Sequence, residues 1–183
     1  MLNIFNKLYY KLLQKTNRVK HAKKIGVNLA PNVRLIGTTQ WGTEPWLISI
    51  GSDTLISNNV KFTTHDGGLS VINKWEPYKS VLKFGRIDIG KNCFIGADTR
   101  LMPDIIIGDN VVIGAESVVT KDVPSNQVWA GVPAKYICSI EEYADKLLAQ
   151  TPQYDDEYCR KHLKEETTRI ANEIRQFRRS SLK

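Results

Sequence analysis

His65 is the residue of this 183-residue chain whose type and surroundings are best suited to acid–base chemistry. It lies in the segment Thr64-His65-Asp66-Gly67-Gly68. A neutral imidazole can take a proton from a hydroxyl group near neutral pH. Asp66 could orient that imidazole or bind an acceptor, and its alternative role is a turn residue before two glycines. His21 and His162 lie in charged segments that are typical of helix surfaces.

The elements that position His65 are predicted by a six-residue repeat. Apolar residues recur at every sixth position in the order Ile89, Ile95, Leu101, Ile107, Ile113, Val119. Neither a helix nor an ordinary strand has this period, so it indicates stacked structural units. Three hexads form a coil of about 18 residues, in which each apolar residue points inward and Gly, Asn or Asp occupies the corner. We therefore expect Ile89 to stack on Ile107, Ile95 on Ile113 and Leu101 on Val119, about one strand spacing apart.

The repeat is interrupted at two places and is bounded by helical segments. Its phase breaks between Gly37 and Leu47, and again after His65, so residues 67–86 are predicted to protrude as a loop. Three regions follow: a basic amphipathic helix within 1–24, a repeat domain at 25–138 and a helical segment at 139–183. In the last region we expect helices at 139–150 and 155–179, separated at Pro152. The terminal regions are expected to cover the two ends of the coil.

Charge and cysteine content narrow the functional class. The net charge is +7, and residues 1–24 contain seven lysines and arginines but no acid. The near-neutral repeat argues against a nucleic-acid partner. The basic helix is interpreted as a solvated surface, with peripheral contact at the inner face of a membrane as the alternative. Three separated cysteines and the lack of a long apolar run predict a cytoplasmic protein.

These motifs resemble the hexapeptide-repeat acyltransferases. The residues that carry the resemblance are the repeat of an aliphatic residue and glycine, the Thr64–Gly68 segment before an insertion, and Ala130-Gly131-Val132-Pro133-Ala134-Lys135. The similarity is greatest to O-acetyltransferases of capsule, exopolysaccharide and lipopolysaccharide synthesis. It implies an all-β fold, a left-handed parallel β-helix of triangular coils, with an N-terminal helix and C-terminal helices. It also implies a homotrimer that uses acetyl-CoA and no metal.

The same resemblance assigns expected roles to individual residues. His65 is expected to be the general base, with direct transfer and no acyl-enzyme. The residues expected to bind or orient the acceptor are Asn59, Asp66, Trp75, Tyr78 and Arg86. The residues expected to contact the coenzyme are Ala97, Ala115, Ser117, Lys121, Gly131, Pro133, Ala134 and Lys135. Several of these have structural alternatives: Asn59 as a corner residue, Trp75 as a loop anchor and Lys135 as a surface lysine.

The function predicted from sequence is acetyl-CoA-dependent O-acetylation of a sugar hydroxyl in surface-polysaccharide synthesis. The acceptor could be a sugar, a sugar nucleotide or a polysaccharide. One alternative is an N-acyltransferase acting on an amino sugar nucleotide. Another is a non-catalytic scaffold or membrane-surface module. A metalloenzyme of the γ-type carbonic anhydrase kind needs three histidine ligands, whereas only His65 lies in the repeat.

Overall fold

A computed structural model describes residues 12–180. Within them the strands form three sheets, and each sheet takes its strands from successive turns of the chain. Sheet A contains β1 (Asn28–Leu29), β4 (Ile48–Ile50), β7 (Ile87–Ile89) and β10 (Ile105–Ile107). Sheet B contains β2 (Arg34–Leu35), β5 (Leu55–Ile56), β8 (Phe94–Ile95), β11 (Val112–Ile113), β13 (Gln127–Ala130) and β14 (Lys135–Ser139). Sheet C contains β3 (Thr39–Gln40), β6 (Val60–Phe62), β9 (Arg100–Leu101) and β12 (Val118–Val119). The chain visits the sheets in the order A, B, C, so each circuit is one coil of a parallel β-helix.

The predicted stacking of the regular coils is confirmed. Ile89 pairs with Ile107, Ile95 with Ile113 and Leu101 with Val119, all in parallel register. These residues are almost completely buried, and they form the core together with the equivalent residues of the earlier coils. Among the strands named above, the one antiparallel strand pair is β13 with β14, where the coil ends. The six-residue period therefore locates the core correctly.

The corners depend on two kinds of residue, and the role expected for the glycines needs correction. Among the described residues the left-handed φ values outside glycine belong to Asn32, Asp53, Asn59, Asn92, Asp98, Asp104, Asn110, Glu116 and Asn126. Gly90 does not have a positive φ, so backbone freedom is not the reason for its presence. A Cβ atom there would lie 2.6 Å from the carbonyl oxygen of Gly108. Glycine is needed at this position because successive coils approach closely, whereas the left-handed turn is made mainly by Asn or Asp, and once by Glu116.

Both interruptions of the repeat occur at the corner between sheets C and A. Leu29 stacks on Ile50, a spacing of 21 residues, and Ile50 stacks on Ile89, a spacing of 39. The extra residues form one loop between β3 and β4 and a longer one between β6 and β7. The longer loop contains the short helix α2 (Leu69–Ile72) and a 3₁₀ turn at Tyr78–Ser80. Two neighbouring coils therefore place their loops one above the other.

The N-terminal helix differs from the continuous helix predicted for 3–24. Residues 12–16 are helical, and a separate helix α1 spans Arg18–Lys24. The break falls at Asn17, because its side chain accepts a hydrogen bond from the amide of Lys20 and thereby caps the second helix. Ala22 of α1 is fully buried in the core. The part of the prediction that covers residues 1–11 lies outside the described residues.

The described residues that follow Ile140, up to residue 180, form a separate compact unit. Helix α3 (Ile140–Gln150) begins just after Ser139, as the capping pattern predicts. The prediction of a single helix over 155–179 is wrong, because the structure has two helices there, α4 (Asp156–Lys161) and α5 (Leu163–Ser180). His162 separates them with a non-helical backbone. None of the helices between residues 12 and 180 is both long enough and apolar enough to cross a bilayer.

Candidate active site

The two stacked loops bring His65 against Glu44. His65 follows β6 at the start of the longer loop, and Glu44 lies in the loop of the preceding coil, just before a 3₁₀ turn at Pro45–Leu47. Pro45 is buried and begins this turn. The backbone of His65 forms an antiparallel bridge with Phe84, which closes the longer loop at its base. The loops therefore fix both residues although 21 positions separate them in sequence.

Glu44 is held by three side chains, one of which is the imidazole. Its Oε2 atom lies 2.9 Å from Nδ1 of His65 and accepts a hydrogen bond of 2.5 Å from Oγ1 of Thr64. Its Oε1 atom accepts a bond of 2.7 Å from Oγ1 of Thr43. The Glu44 side chain is 16% exposed, against 44% for His65. The carboxylate is thus enclosed, while the imidazole reaches solvent.

This hydrogen bonding determines the charge of Glu44 and which ring nitrogen of a neutral His65 carries the proton. The bonds from Thr43 and Thr64 lower the pKa of Glu44 to about 2, with a smaller contribution from His65. The carboxylate is therefore ionised at neutral pH and can only accept hydrogen bonds. Nδ1 of His65 must carry the proton, which leaves the lone pair of a neutral imidazole on Nε2. The arrangement has the chemistry of a general base oriented by a carboxylate.

A cleft of about 400 Å³ lies beside this pair. Its lining contains both polar and apolar residues: Glu44, His65, Asp66, Gly67, Leu69, Ser70, Asn73, Leu82, Lys83 and Phe84. The ring of Phe84 meets the imidazole edge to face, with 6.2 Å between the centroids. The longer loop supplies most of the wall, so the loop and the base form a single site.

The acceptor residues predicted from sequence are distributed unevenly around the cleft. Asp66 lines it, but its Oδ1 accepts a bond from the amide of Gly68, so the partner of the imidazole is Glu44. Trp75 and Tyr78 are exposed on the loop, outside the cleft lining. Roles for all three in acceptor binding stay predictions.

Asn59 and Arg86 both have structural contacts. The side chain of Asn59 accepts a bond of 2.9 Å from Gln40 and donates one of 2.5 Å to Asp98, so it links three coils. Its φ of 56° shows that it also makes the corner. Arg86 pairs with Asp88 at 3.5 Å. Neither residue lines the cleft, and their contacts with an acceptor stay predictions.

Four of the eight predicted coenzyme residues lie at a different corner. Ala97 and Ala115 occupy equivalent positions between sheets B and C, and the amide of Glu116 donates to the carbonyl of Ala97. Gly131, in the next coil, donates its amide to Oγ of Ser117 at 3.1 Å. Ser117 is completely buried, so its hydroxyl forms hydrogen bonds within the β-helix. This corner is built of small residues.

The remaining coenzyme candidates either follow β12 or lie between the end of β13 and the first residue of β14. Pro133 and Lys135 are exposed, whereas Ala134 is buried and donates its amide to the carbonyl of Val118. Lys121 follows β12 and lies over the ring of Trp129, 5.3 Å from its centroid. Coenzyme contacts at these positions stay predictions.

Glu44 is the site residue that sequence reasoning missed. The phase break at 37–47 was a sufficient signal for a loop, and the loop contains one acidic residue. Stacking that loop on the corner that carries His65 makes Glu44 a second candidate partner of the imidazole, besides Asp66. The two tryptophans of this loop do not line the cleft: Trp41 stacks on Phe62 in the core, and Trp46 is exposed.

Comparisons with known proteins agree with this architecture. Residues 86–121 match the family described as bacterial transferase hexapeptide (six repeats). Protein CapG of Staphylococcus aureus is 39% identical over 144 residues, which cover 78% of this chain and 83% of CapG. WbbJ of Escherichia coli, a putative lipopolysaccharide biosynthesis O-acetyl transferase, is 39% identical over 97 residues, and the match spans about half (49%) of each chain.

A solved structure shows the same fold. The structure of a galactoside acetyltransferase in complex with coenzyme A aligns with a TM-score of 0.53 and 24% identity, over 81% of this chain and 85% of that one. The stacked parallel coils, the matched repeat and the extensive similarity to CapG lead to the same assignment. This chain belongs to the bacterial hexapeptide-repeat transferases.

Proposed function

We propose that this protein is an O-acetyltransferase that transfers an acetyl group from acetyl-CoA to a sugar hydroxyl in surface-polysaccharide synthesis. The observation that carries the proposal is the ionised Glu44 bonded to Nδ1 of His65 at the mouth of a cleft. Family membership supports an acetyl-CoA donor, and the name of WbbJ supports O-acetylation of a polysaccharide. The left-handed winding and triangular coils expected for the family belong to this proposal as well.

The chemistry follows from the free lone pair on Nε2 of His65. As the acceptor hydroxyl oxygen attacks the thioester carbonyl, Nε2 takes the hydroxyl proton, and Glu44 stabilises the resulting imidazolium. A backbone N–H at a coil corner stabilises the oxyanion of the tetrahedral intermediate. Collapse of this intermediate breaks the carbon–sulfur bond, and the imidazolium returns its proton to the leaving thiolate. The products are an acetyl ester and CoA, without an acyl-enzyme.

The test of this mechanism is the substitution His65→Ala. We expect acetyl transfer from acetyl-CoA to slow by roughly 10²–10⁴-fold, because the proton acceptor is lost. The assay is CoA release against a panel of sugars and sugar nucleotides that offer either hydroxyl or amine acceptors. His162→Ala is the matched control, since His162 lies in the separate C-terminal unit. Transfer that survives within a few-fold, or that uses only the amines, would contradict the proposal.

We further propose that the site is completed between copies in a homotrimer. Ala97 and Ala115 lie at the corner between sheets B and C, whereas His65 lies at the corner between C and A. Within one chain, about six residues of extended strand separate the two corners, a span of roughly 15–20 Å. A neighbouring copy can place its small-residue corner beside His65. The cytoplasm is the compartment in which we expect this assembly to act.

Hybrid oligomers test this arrangement. We expect His65→Ala and Lys135→Glu variants, each inactive alone, to recover transfer when they are unfolded and refolded together. Recovery is expected because some interfaces then combine an intact His65 from one copy with an intact Lys135 from the next. Refolding of each variant alone is the control. Absence of recovery in mixed oligomers of verified mass would place the whole site within one chain.

A further inference from the structure

We propose that the cleft beside His65 recognises an uncharged sugar ring, and that Asn73 determines which hydroxyl pattern it accepts. The inference rests on the proposed function, since it takes His65 as the base that meets the acceptor. It goes further by naming the chemical class of the acceptor and a residue that selects it. Three features of the cleft support it: an apolar wall, an unpaired hydrogen-bond acceptor and the balance of charge.

The apolar wall consists of loop residues that remain exposed. Phe84 is 53% exposed and Leu82 is 74% exposed, and both line the cleft with Leu69. Leaving such side chains in water is unfavourable, and exposed apolar patches next to polar groups commonly mark binding sites. The C–H face of a sugar ring packs well on an aromatic face. The backbone bridge between His65 and Phe84 keeps this wall close to the base.

Asn73 supplies the unpaired acceptor. Its Nδ2 atom donates to the carbonyl of Val81 at 3.4 Å, which fixes the orientation of the amide, because the reverse orientation would oppose two oxygens. Its Oδ1 atom is then buried without a hydrogen-bond partner. A buried acceptor without a partner destabilises the loop. A small displacement of this loop would let a ligand hydroxyl donate to this oxygen.

The charges of the cleft favour a neutral ligand. Glu44 and Asp66 line it, and Lys83 is the one cation among its described lining residues. Lys83 already faces Asp66, with 3.7 Å between Nζ and Oδ2. A phosphate or a sugar carboxylate placed beside His65 would therefore meet two acidic groups and no uncommitted cation in this lining. The ring that enters the cleft is therefore uncharged, such as the hexose of a simple glycoside.

Direct binding tests the inference separately from catalysis. Saturation-transfer NMR and titration with neutral methyl glycosides measure binding to the unmodified protein, and methyl glucuronoside and UDP-glucose provide the charged comparison. We expect a neutral glycoside to bind more tightly than either charged compound. We expect removal of one hydroxyl, in a deoxy analogue, to weaken binding roughly three- to tenfold.

Variants then connect that hydroxyl to Asn73. In Asn73→Leu we expect the same deoxy analogue and its parent to bind equally, because the effects of residue and hydroxyl are not additive when they form one contact. Lys74→Ala is the control on the same loop, outside the cleft lining. Phe84→Ser tests the wall independently should Asn73→Leu fail to fold, and we expect it to weaken every neutral glycoside.

Two results would overturn the inference. One is that only the charged compounds bind the unmodified protein. The other is that neutral glycosides bind equally well to Phe84→Ser or keep their full preference for the hydroxyl in folded Asn73→Leu. Glycoside binding without acetyl transfer would instead contradict the proposed function and leave the inference standing.

Discussion

The corner between sheets C and A has two different forms in one molecule. In the coil that contains β9 and β10 it needs only residues 102–104, and Asp104 makes the turn with a φ of 63°. In the coil that contains β6 and β7 the same corner extends over residues 63–86 and carries His65 and the cleft. The short corner maintains the stacking, whereas the long one departs from it. The comparison indicates that the regular coils stabilise the fold, whereas the interrupted coils carry the candidate catalytic residues.

The largest effect expected from this comparison is at Glu44. In Glu44→Ala we expect kcat to fall by about 10²-fold, because the imidazole loses its orientation and its defined tautomer, and the melting temperature to fall only modestly. Steady-state kinetics and a thermal melt measure the two quantities. Glu76→Ala is the control, an exposed loop glutamate paired only with Lys79 among the contacts described.

A merely structural role for Glu44 predicts a different outcome. It would lower the melting temperature and leave kcat of the folded enzyme unchanged. Glu44→Asp refines the distinction, because a carboxylate placed further from Nδ1 should restore part of the activity. A variant series in which stability changes and kcat does not would remove Glu44 from the mechanism.

The opposite result is expected in the regular coils. Gly90→Ala places a Cβ atom 2.6 Å from the carbonyl oxygen of Gly108, so we expect a loss of about 1–3 kcal/mol in the free energy of unfolding. Urea denaturation measures this loss. The kcat of the folded fraction should stay unchanged, since Gly90 does not line the cleft. Gly67→Ala is the control, because no atom lies within 4 Å of a Cβ added there.

The smallest of the three effects is a dependence of stability on pH. The folded state lowers the pKa of Glu44 to about 2, from about 4.5. Its contribution to stability is therefore present above about pH 4.5 and is lost as the pH falls toward 2. Compared with Glu44→Gln, the unmodified protein should lose its advantage in the free energy of unfolding progressively as the pH falls from about 4.5 toward 2. Solvent screening of the half-exposed His65 keeps this effect modest.

Denaturation at several pH values tests whether the free energy of unfolding changes with pH in this direction. A constant difference between the two proteins from pH 7 to pH 3 would mean that Glu44 does not titrate with the folded structure. A difference that grows on acidification would mean that its pKa is raised, against the hydrogen bonds observed from Thr43 and Thr64.

The regular part of the fold could be predicted from the sequence because it is a local repeat. The pairs Ile89–Ile107 and Leu101–Val119 follow from a period of 18 residues, which three hexads require. The loop after His65 was likewise visible as a loss of phase. In each case the pattern is contained in a short window, and burial of one aliphatic residue per hexad is sufficient to fix it.

The partner of His65 could not be obtained in this way. A loss of phase locates a loop but does not specify where its side chains lie, and Asp66 is the nearer carboxylate in sequence. Asp66 turns instead toward the amide of Gly68, because Asp commonly bonds to the backbone two residues onward in a turn. Glu44 reaches Nδ1 only through the stacking of two coils. The break between α4 and α5 has a similar cause, since helix periodicity continues through His162 while its backbone does not.

The bridge between His65 and Phe84 has a consequence for how new acceptors can be acquired. It closes the loop at its base, and the amide of Gly85 donates to the carbonyl of Thr64 beside it. An insertion within a coil would shift the register of every later strand, but an insertion beyond this bridge leaves the register intact. The entropy of closing a longer loop grows only slowly with its length. Residues 67–83 can therefore be exchanged as a cassette, which makes this corner the natural place to graft a different specificity onto an unchanged scaffold.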